Sequence, residues 1–203
     1  MNMQQQLAAI SNEKQPVLRQ SIGLVTVGFI LCGVLYCAVN VSIAQIIFPE
    51  QANGSLIEHQ GKMVGSALVA QLFTGSQYFH PRPSAVDYNP QSVGGSNLAV
   101  SNPDLQQQIA ERRAKFAHEN TINPQDVPNE MLTASGSGID PDISPQSALL
   151  QLKRVAQQRQ LTEQQVESVV KQRIQPKQFG LFGQERVNVL QLNLALDQLQ
   201  RPL

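Results

Sequence analysis

The pattern of apolar and polar positions divides the chain sharply. Ile22 to Phe48, IGLVTVGFILCGVLYCAVNVSIAQIIF, contains no Asp, Glu, Lys or Arg. It is long enough to cross a bilayer, since ~20 apolar residues at ~1.5 Å rise span the ~30 Å hydrocarbon core. Its polar members are the short hydroxyls of Thr26 and Ser42, which a helix can satisfy with its own backbone, or lie toward the C-terminal end (Asn40, Gln45). A cleaved secretory signal carries an apolar core of only ~7–15 residues and ends at a small-residue site. This run is longer and closes on Ile46-Ile47-Phe48-Pro49, and neither Cys32 nor Cys37 follows the small residue that lipoprotein processing requires. It is read as a retained transmembrane helix. Gly23, Gly28 and Gly33 recur every five residues, a spacing that spirals around an α-helix. Gly33, Cys37, Ala38, Ser42 and Ala44 leave small surface that suits either another helix or ordinary lipid contact.

Outside the span the periodicity changes repeatedly. Residues 1–15 are polar, Gln-rich and aperiodic and read as a flexible cytoplasmic tail, and Pro16 suits a first helical turn. Asn53-Gly54 signals a turn, and Lys62 to Phe73 mixes apolar residues with Gly in the manner of short strands. TGSQYFHPRPSAVDYNPQSVGGSN packs aromatics, prolines and glycines without a period, which predicts an ordered loop region in which Tyr78, Phe79 and Tyr88 must pack against something. Asn102 with Pro103 opens a helix whose Leu105, Ile109 and Phe116 share a face while Arg112, Arg113 and Lys115 stay in water. Met131 to Ser135 reads as a short strand. Ser144 with Pro145 starts a second helix striped by Ala148, Leu149, Leu152, Val155 and Ala156. Thr162 with Gln165 makes a capping box for a third, striped by Val166, Val169, Val170 and Ile174. Val187 to Asn193 alternates like a strand, and Leu194 to Leu199 closes with a helical turn. The expected organisation is a tail (1–15), a transmembrane helix with its N-terminal flank (16–48), and one α+β soluble domain (49–203).

Charge sets the orientation and excludes one class of partner. The 203 residues carry 15 basic and 15 acidic side chains and no Trp, so no long-range positive field draws in nucleic acid. Lys14 and Arg19 precede the span, whereas Glu50 and Glu58 follow it before Lys62. Basic residues stay on the cytoplasmic side, so the tail is expected inside and the large domain in the periplasm of the inner membrane. Both cysteines lie in the span, leaving the soluble part without thiols.

Candidate chemistry is sparse. His59, His80 and His118 are far apart and have no neighbour at ligand spacing, so no metal site is expected. Asp140 and Asp142 flank Pro141 in a pattern that suits turn and capping chemistry better than a calcium loop. Ser66, Ser84 and Ser96 lack a nucleophile elbow. Gln91-Ser-Val-Gly-Gly-Ser-Asn97 is the segment most open to a ligand. Consecutive glycines can aim backbone N–H groups into a concavity that holds an anion, although no Gly-Lys-Ser/Thr follows, and a tight turn accounts for the same residues.

Several loops together match one family. PEQANGSLI after a single span, GSALVAQLFTGSQYFHPRPSA, YNPQSVGGSNLAVSNPDL, TASGSGIDPDISPQSALLQLKRVA and VNVLQLNLALDQL resemble, in order, the C subunit of the bacterial Kdp-type potassium-transporting ATPase. The resemblance runs from about Arg19 to the C-terminus. It departs at Pro81, where Gly is expected, and at Ala70, where Gly is more usual. It implies a non-catalytic subunit of an ATP-driven potassium uptake complex, needed for assembly and described as a catalytic chaperone that raises the pump's affinity for ATP. The implied partners are a channel-like potassium-translocating subunit, a P-type ATPase catalytic subunit, a very small membrane subunit and the lipid bilayer. The resemblance assigns Gln91, Gly94, Gly95, Ser96 and Asn97 to a stretch proposed to take part in nucleotide binding. A periplasmic domain meets no ATP, so the orientation reading instead expects no firmly bound cofactor, ATP acting on the complex, and an outer domain that caps the channel-like subunit. Arg82, Tyr88, Asn97 and Asp140 are the candidates for interface or loop-fixing roles. Two alternatives remain: a direct nucleotide-binding helper acting through Gly94-Gly95, and a stand-alone membrane-anchored periplasmic binding module.

Overall fold

A computed structural model describes residues 17–200; the expected tail, residues 1–15, lies outside the described residues. The chain falls into two compact units that meet in sequence between Asn53 and Gly54.

The first unit is the helix α1, Val17–Ile47, followed by a short turn of helix, α2, Pro49–Ala52. Its 31 residues satisfy the length and apolarity of a membrane span. Thr26, Asn40 and Ser42 each return a hydrogen bond to the carbonyl four residues back, at 2.8, 2.7 and 2.7 Å. These three side chains are therefore satisfied within the helix, as hydrocarbon surroundings require. Phe29–Leu35 is wound as a π-helix, with the N–H of Tyr36 reaching Leu31 O; the even apolar pattern gives no sign of this. Gln45 and Asn53 join the end of α1 to the residues after α2 through a pair of amide hydrogen bonds of 3.3 and 3.2 Å.

The second unit is an α+β domain. It opens with an antiparallel hairpin, β1 (Leu56–His59) and β2 (Lys62–Ser66), turned at Gln60-Gly61, both in left-handed conformations that match the twist of the strands. The expected strand character beyond Ser66 is not found. Residues 67–102 carry no regular element, because Ala67 and Ala70 donate to Ser55 O and Ile139 O rather than to a ladder.

Helix α3 (Pro103–Asn120) starts where Asn102 Oδ1 accepts from the Asp104 N–H at 2.8 Å and ends at left-handed Thr121. Helix α4 (Pro145–Arg159) is capped by Ser144, and α5 (Glu163–Arg173) carries the full Thr162/Gln165 capping box. Strands β3 (Asp142–Ile143), β4 (Ile174–Gln175) and β5 (Arg186–Asn188) form a small antiparallel sheet ordered β3-β5-β4, in which Val187 pairs with both Ile143 and Ile174. Helix α6 (Val189–Leu199) closes the fold.

Four local expectations are corrected. Met131 to Ser135 is no strand: Asn129–Met131 is a 3₁₀ turn, and Leu132 and Thr133 donate back to Asn129 O. The alternation over Val187 to Asn193 ends at Asn188, whose side chain accepts from the Gln191 N–H at 3.1 Å and starts α6 at once. Leu149 faces solvent, whereas Ala148, Leu152, Val155 and Ala156 of the same stripe are buried. Arg112 is half-buried and donates to Leu132 O at 3.0 Å, so it fastens a loop rather than standing in water.

The core gathers Ala148 and Val155 from α4, Val166 and Val170 from α5, Val187 from β5, and Leu192 and Leu196 from α6, together with Phe79 from the irregular segment; all are fully buried. At ~1.5–3 kcal/mol per large apolar side chain, this burial is the main force closing the domain. Strand β5 touches α4, α5 and α6 and so sits at the centre of the packing.

Candidate functional site

The irregular segment 72–97 is held by polar side chains of α4 and α6. Asn193 accepts from the Phe79 N–H (2.8 Å) and donates to Phe79 O (3.0 Å). Gln151 does the same for the next residue, accepting from His80 N–H at 2.8 Å and donating to His80 O at 3.1 Å. The guanidinium of Arg154 donates to Ser76 O (2.5 Å), Tyr78 O (2.9 Å), Asn120 and Gln151. Arg159 donates to Gln77 O at 2.7 Å and to Asp197 at 2.8 Å, and its guanidinium lies 5.0 Å from the centre of the Tyr78 ring. A chain without a ladder of its own thus has its backbone groups paired by buried side chains.

Three of the four loop-fixing candidates converge where this segment leaves the core. Arg82 Nη1 lies 2.9 Å from Asp140 Oδ2, and the other carboxylate oxygen of Asp140 accepts from the Asp142 N–H at 3.1 Å. The Tyr88 hydroxyl donates to Arg82 O at 2.9 Å. Ser84 Oγ donates to Gly138 O (2.6 Å) and accepts from the N–H groups of Val86 (3.1 Å) and Tyr88 (3.0 Å). Burial pushes the Tyr88 phenol above its ordinary range, against the opposing pull of Arg112. Asn97, the fourth candidate, is exposed and in a left-handed conformation apart from this group.

The glycine segment faces the same second loop. Gly94 N–H donates to Ser137 O at 2.9 Å, and a Cβ on Gly95 would stand 3.2 Å from Gly136 O. Gly138, at φ +73, meets Val86 and Gly94 O from the other side. Gly94 and Gly95 themselves are not in left-handed conformations, so their N–H groups do not alternate into an anion-binding nest. Gln91 N–H is taken by Asn89 at 3.0 Å, while Ser96 and Asn97 stand in solvent. The glycines allow close contact between two loops.

A cavity of about 320 Å³ opens between this region and α3, lined by Phe73, His80, Pro81, Tyr88, Arg112 and Lys115 among others. Burial first and the Arg154 charge second hold the His80 imidazole below its ordinary value, and its Nε2 sits 3.1 Å from Gly75 O. Next to the Arg82–Asp140 pair, Glu130 accepts from Ser144 N–H and from both the Ser144 and Ser147 hydroxyls. Asp142 is pushed up by burial, although Arg186, 3.1 Å away, pulls the other way. Among the described residues no three His, Cys, Asp or Glu side chains group to hold a metal ion.

Sequence reasoning missed the amide clamps entirely. Asn193 and Gln151 look like surface residues by type, and only their register gives them away: Asn193 falls between Leu192 and Leu196, and Gln151 between Ala148 and Leu152, all on buried faces.

Fold and site together define a class: a small α+β domain carried on a single membrane-spanning helix, its surface built from loops fixed by buried polar side chains. Residues 18–198 match the family model described as KdpC: K+-transporting ATPase, c chain, and the chain belongs to that family. It is 47% identical over 184 residues to a potassium-transporting ATPase KdpC subunit of Shewanella putrefaciens, covering 91% of this chain and 90% of that one. A KdpC subunit of Xanthomonas oryzae pv. oryzae is 50% identical over 180 residues (89% and 86% covered), and one of Bacillus cytotoxicus is 40% identical over 185 residues (91% and 96% covered).

Proposed function

We propose that this chain is a non-catalytic subunit of an ATP-driven potassium uptake complex, held in the inner membrane by α1, with its α+β domain outside and seated on a channel-like potassium-translocating subunit. Family membership supports the subunit role. The observation that carries the non-catalytic reading is the use made of the glycine segment: the Gly94 N–H that would greet a phosphate is already bonded to Ser137 O, and Gly95 is pressed against Gly136. Arg82, Tyr88 and Asp140 likewise bond to one another and to loop backbone, which suits a surface shaped for contact rather than for turnover. Assembly and the tuning of ATP affinity in the catalytic subunit then follow by coupling through the complex.

Three measurements on the whole complex test this. Tagged chain extracted in detergent brings out two larger membrane subunits, and its removal raises the KM for ATP of the remainder without abolishing hydrolysis. Single cysteines placed at Ser96 or Asn97 react with a membrane-impermeant reagent in intact cells. Labelling only after the inner face is opened would favour the direct nucleotide-binding helper, which further requires measurable ATP binding by the chain alone.

A further inference from the structure

Between β4 and β5 the chain leaves the sheet as a turn closed on itself. Gln178 and Phe182 exchange N–H···O bonds of 2.9 Å each, Gly180 N–H donates to Lys177 O at 3.0 Å, and Leu181 N–H to Gln178 O at 3.1 Å. Phe179, Gly180 and Gly183 are all left-handed, at φ 55, 73 and 77. At the tip Phe179, Leu181 and Phe182 are 84, 80 and 65% exposed, and none of them joins the core.

This combination separates three possible occupants. A bulky aromatic residue at positive φ is strained by about 1 kcal/mol or more. The closed hydrogen bonds fix the backbone from which the three side chains project before anything binds them. A fluid lipid surface has no use for a preset shape. The collar around the tip, Lys177, Gln178, Gln184, Glu185 and Arg186, mixes both signs of charge, and Arg186 is drawn to Asp142, so anionic headgroups find no basic excess. Two aromatic rings at ~150–250 Å² each, with one leucine, supply less than the ~800 Å² per partner of a stable interface, so the tip alone does not hold two copies of the chain together. Aromatic side chains on a fixed turn, set within a larger contact, are instead what the core of a protein interface favours.

We infer that the Phe179–Phe182 tip is the apolar anchor by which this domain seats in a preformed, polar-rimmed apolar socket on a companion subunit of the ATPase. The inference rests on the subunit role proposed above and adds the point of attachment. The test uses the full-length chain expressed with its companion subunits. Benzoylphenylalanine at position 179 or 182 crosslinks on illumination to one site on one companion, located by mass spectrometry. Phe179→Ser with Phe182→Ser lowers the companion yield in affinity purification by about tenfold or more, while the Tm of the chain alone is unchanged because both rings are exposed. Crosslinks confined to lipid or to a second copy of this chain, or undiminished companion yield with the double variant, overturn the anchor while leaving the subunit role standing. A wild-type chain that brings out no companion removes both.

Discussion

The side-chain amide of Asn193 pairs with both backbone groups of Phe79, 114 residues away, as a neighbouring strand would. Neither residue is more than 1% exposed. Asn193→Ala therefore leaves a buried N–H and a buried C=O without partners, at about 1–3 kcal/mol for each group. Urea unfolding of the detergent-solubilised chain should show a loss of ~3 kcal/mol. Gln151→Ala should cost a similar amount, and because the two clamps grip adjacent residues the double variant should lose less than the sum. A loss under ~1 kcal/mol for either single variant would show that water replaces the amide.

The glycines of the two facing loops should separate by geometry. Gly94→Ala meets no atom within 4 Å and should be neutral within ~0.5 kcal/mol. Gly95→Ala presses on Gly136 O and should be mildly destabilising. Gly138→Ala combines a left-handed backbone with collisions against Val86 and Gly94 O, and should cost ~2 kcal/mol or more. Limited proteolysis within residues 83–97, scored against unfolding midpoints, ranks the three. Loss of stability at Gly94 equal to that at Gly138 contradicts the packing described.

Arg82 and Asp140 are 25 and 30% exposed, so solvent screens their attraction. A double-mutant cycle of Arg82→Met and Asp140→Asn should return a coupling of at most ~1 kcal/mol toward stability. The same variants should weaken assembly with companion subunits more than they weaken the fold, if this cluster shapes the contact surface. Equal effects on both would assign the pair to the fold alone.

His80 sets a pH dependence whose sign is fixed. Its folded pKa lies below the ordinary 6.5. Above that value both folded and unfolded chains are neutral at this site. As pH falls below it the unfolded state takes up a proton that the folded state refuses, and stability drops. Asp142, raised above 3.8, slopes the other way from that value upward, so the variant rather than the raw profile isolates the histidine. His80→Gln should flatten the fall in Tm between about pH 7 and pH 5. An unchanged slope would mean that other groups dominate this range.

The span and the helices at Asn102–Pro103, Ser144–Pro145 and Thr162–Gln165 were legible because capping chemistry and apolar periodicity are local and act together. Family resemblance singles out Arg82, Tyr88, Asn97 and Asp140 one by one but not the convergence of Arg82, Tyr88 and Asp140, since no spacing links positions 82 and 140. What local patterns hid was the other half of the polar logic. Asn188 ends β5 as the alternation predicts, yet its side chain also caps α6; Arg112 reads as a wet helix face, yet it fastens Leu132. In both cases the deciding partner is a backbone group, and backbone groups carry no signature in the sequence.

The π-wound stretch of α1 changes which residues of the span are neighbours. In an ordinary α-helix, positions five apart diverge around the rod; where bonds close over five residues, as from Tyr36 back to Leu31, such positions come closer in rotation. Gly28, just before the π-wound stretch, has nothing within 4 Å of where its side chain would begin, whereas the Phe29 ring stands 3.5 Å from where a Gly33 side chain would begin. The room left by the missing Gly33 side chain is thus taken by the Phe29 ring of the same helix.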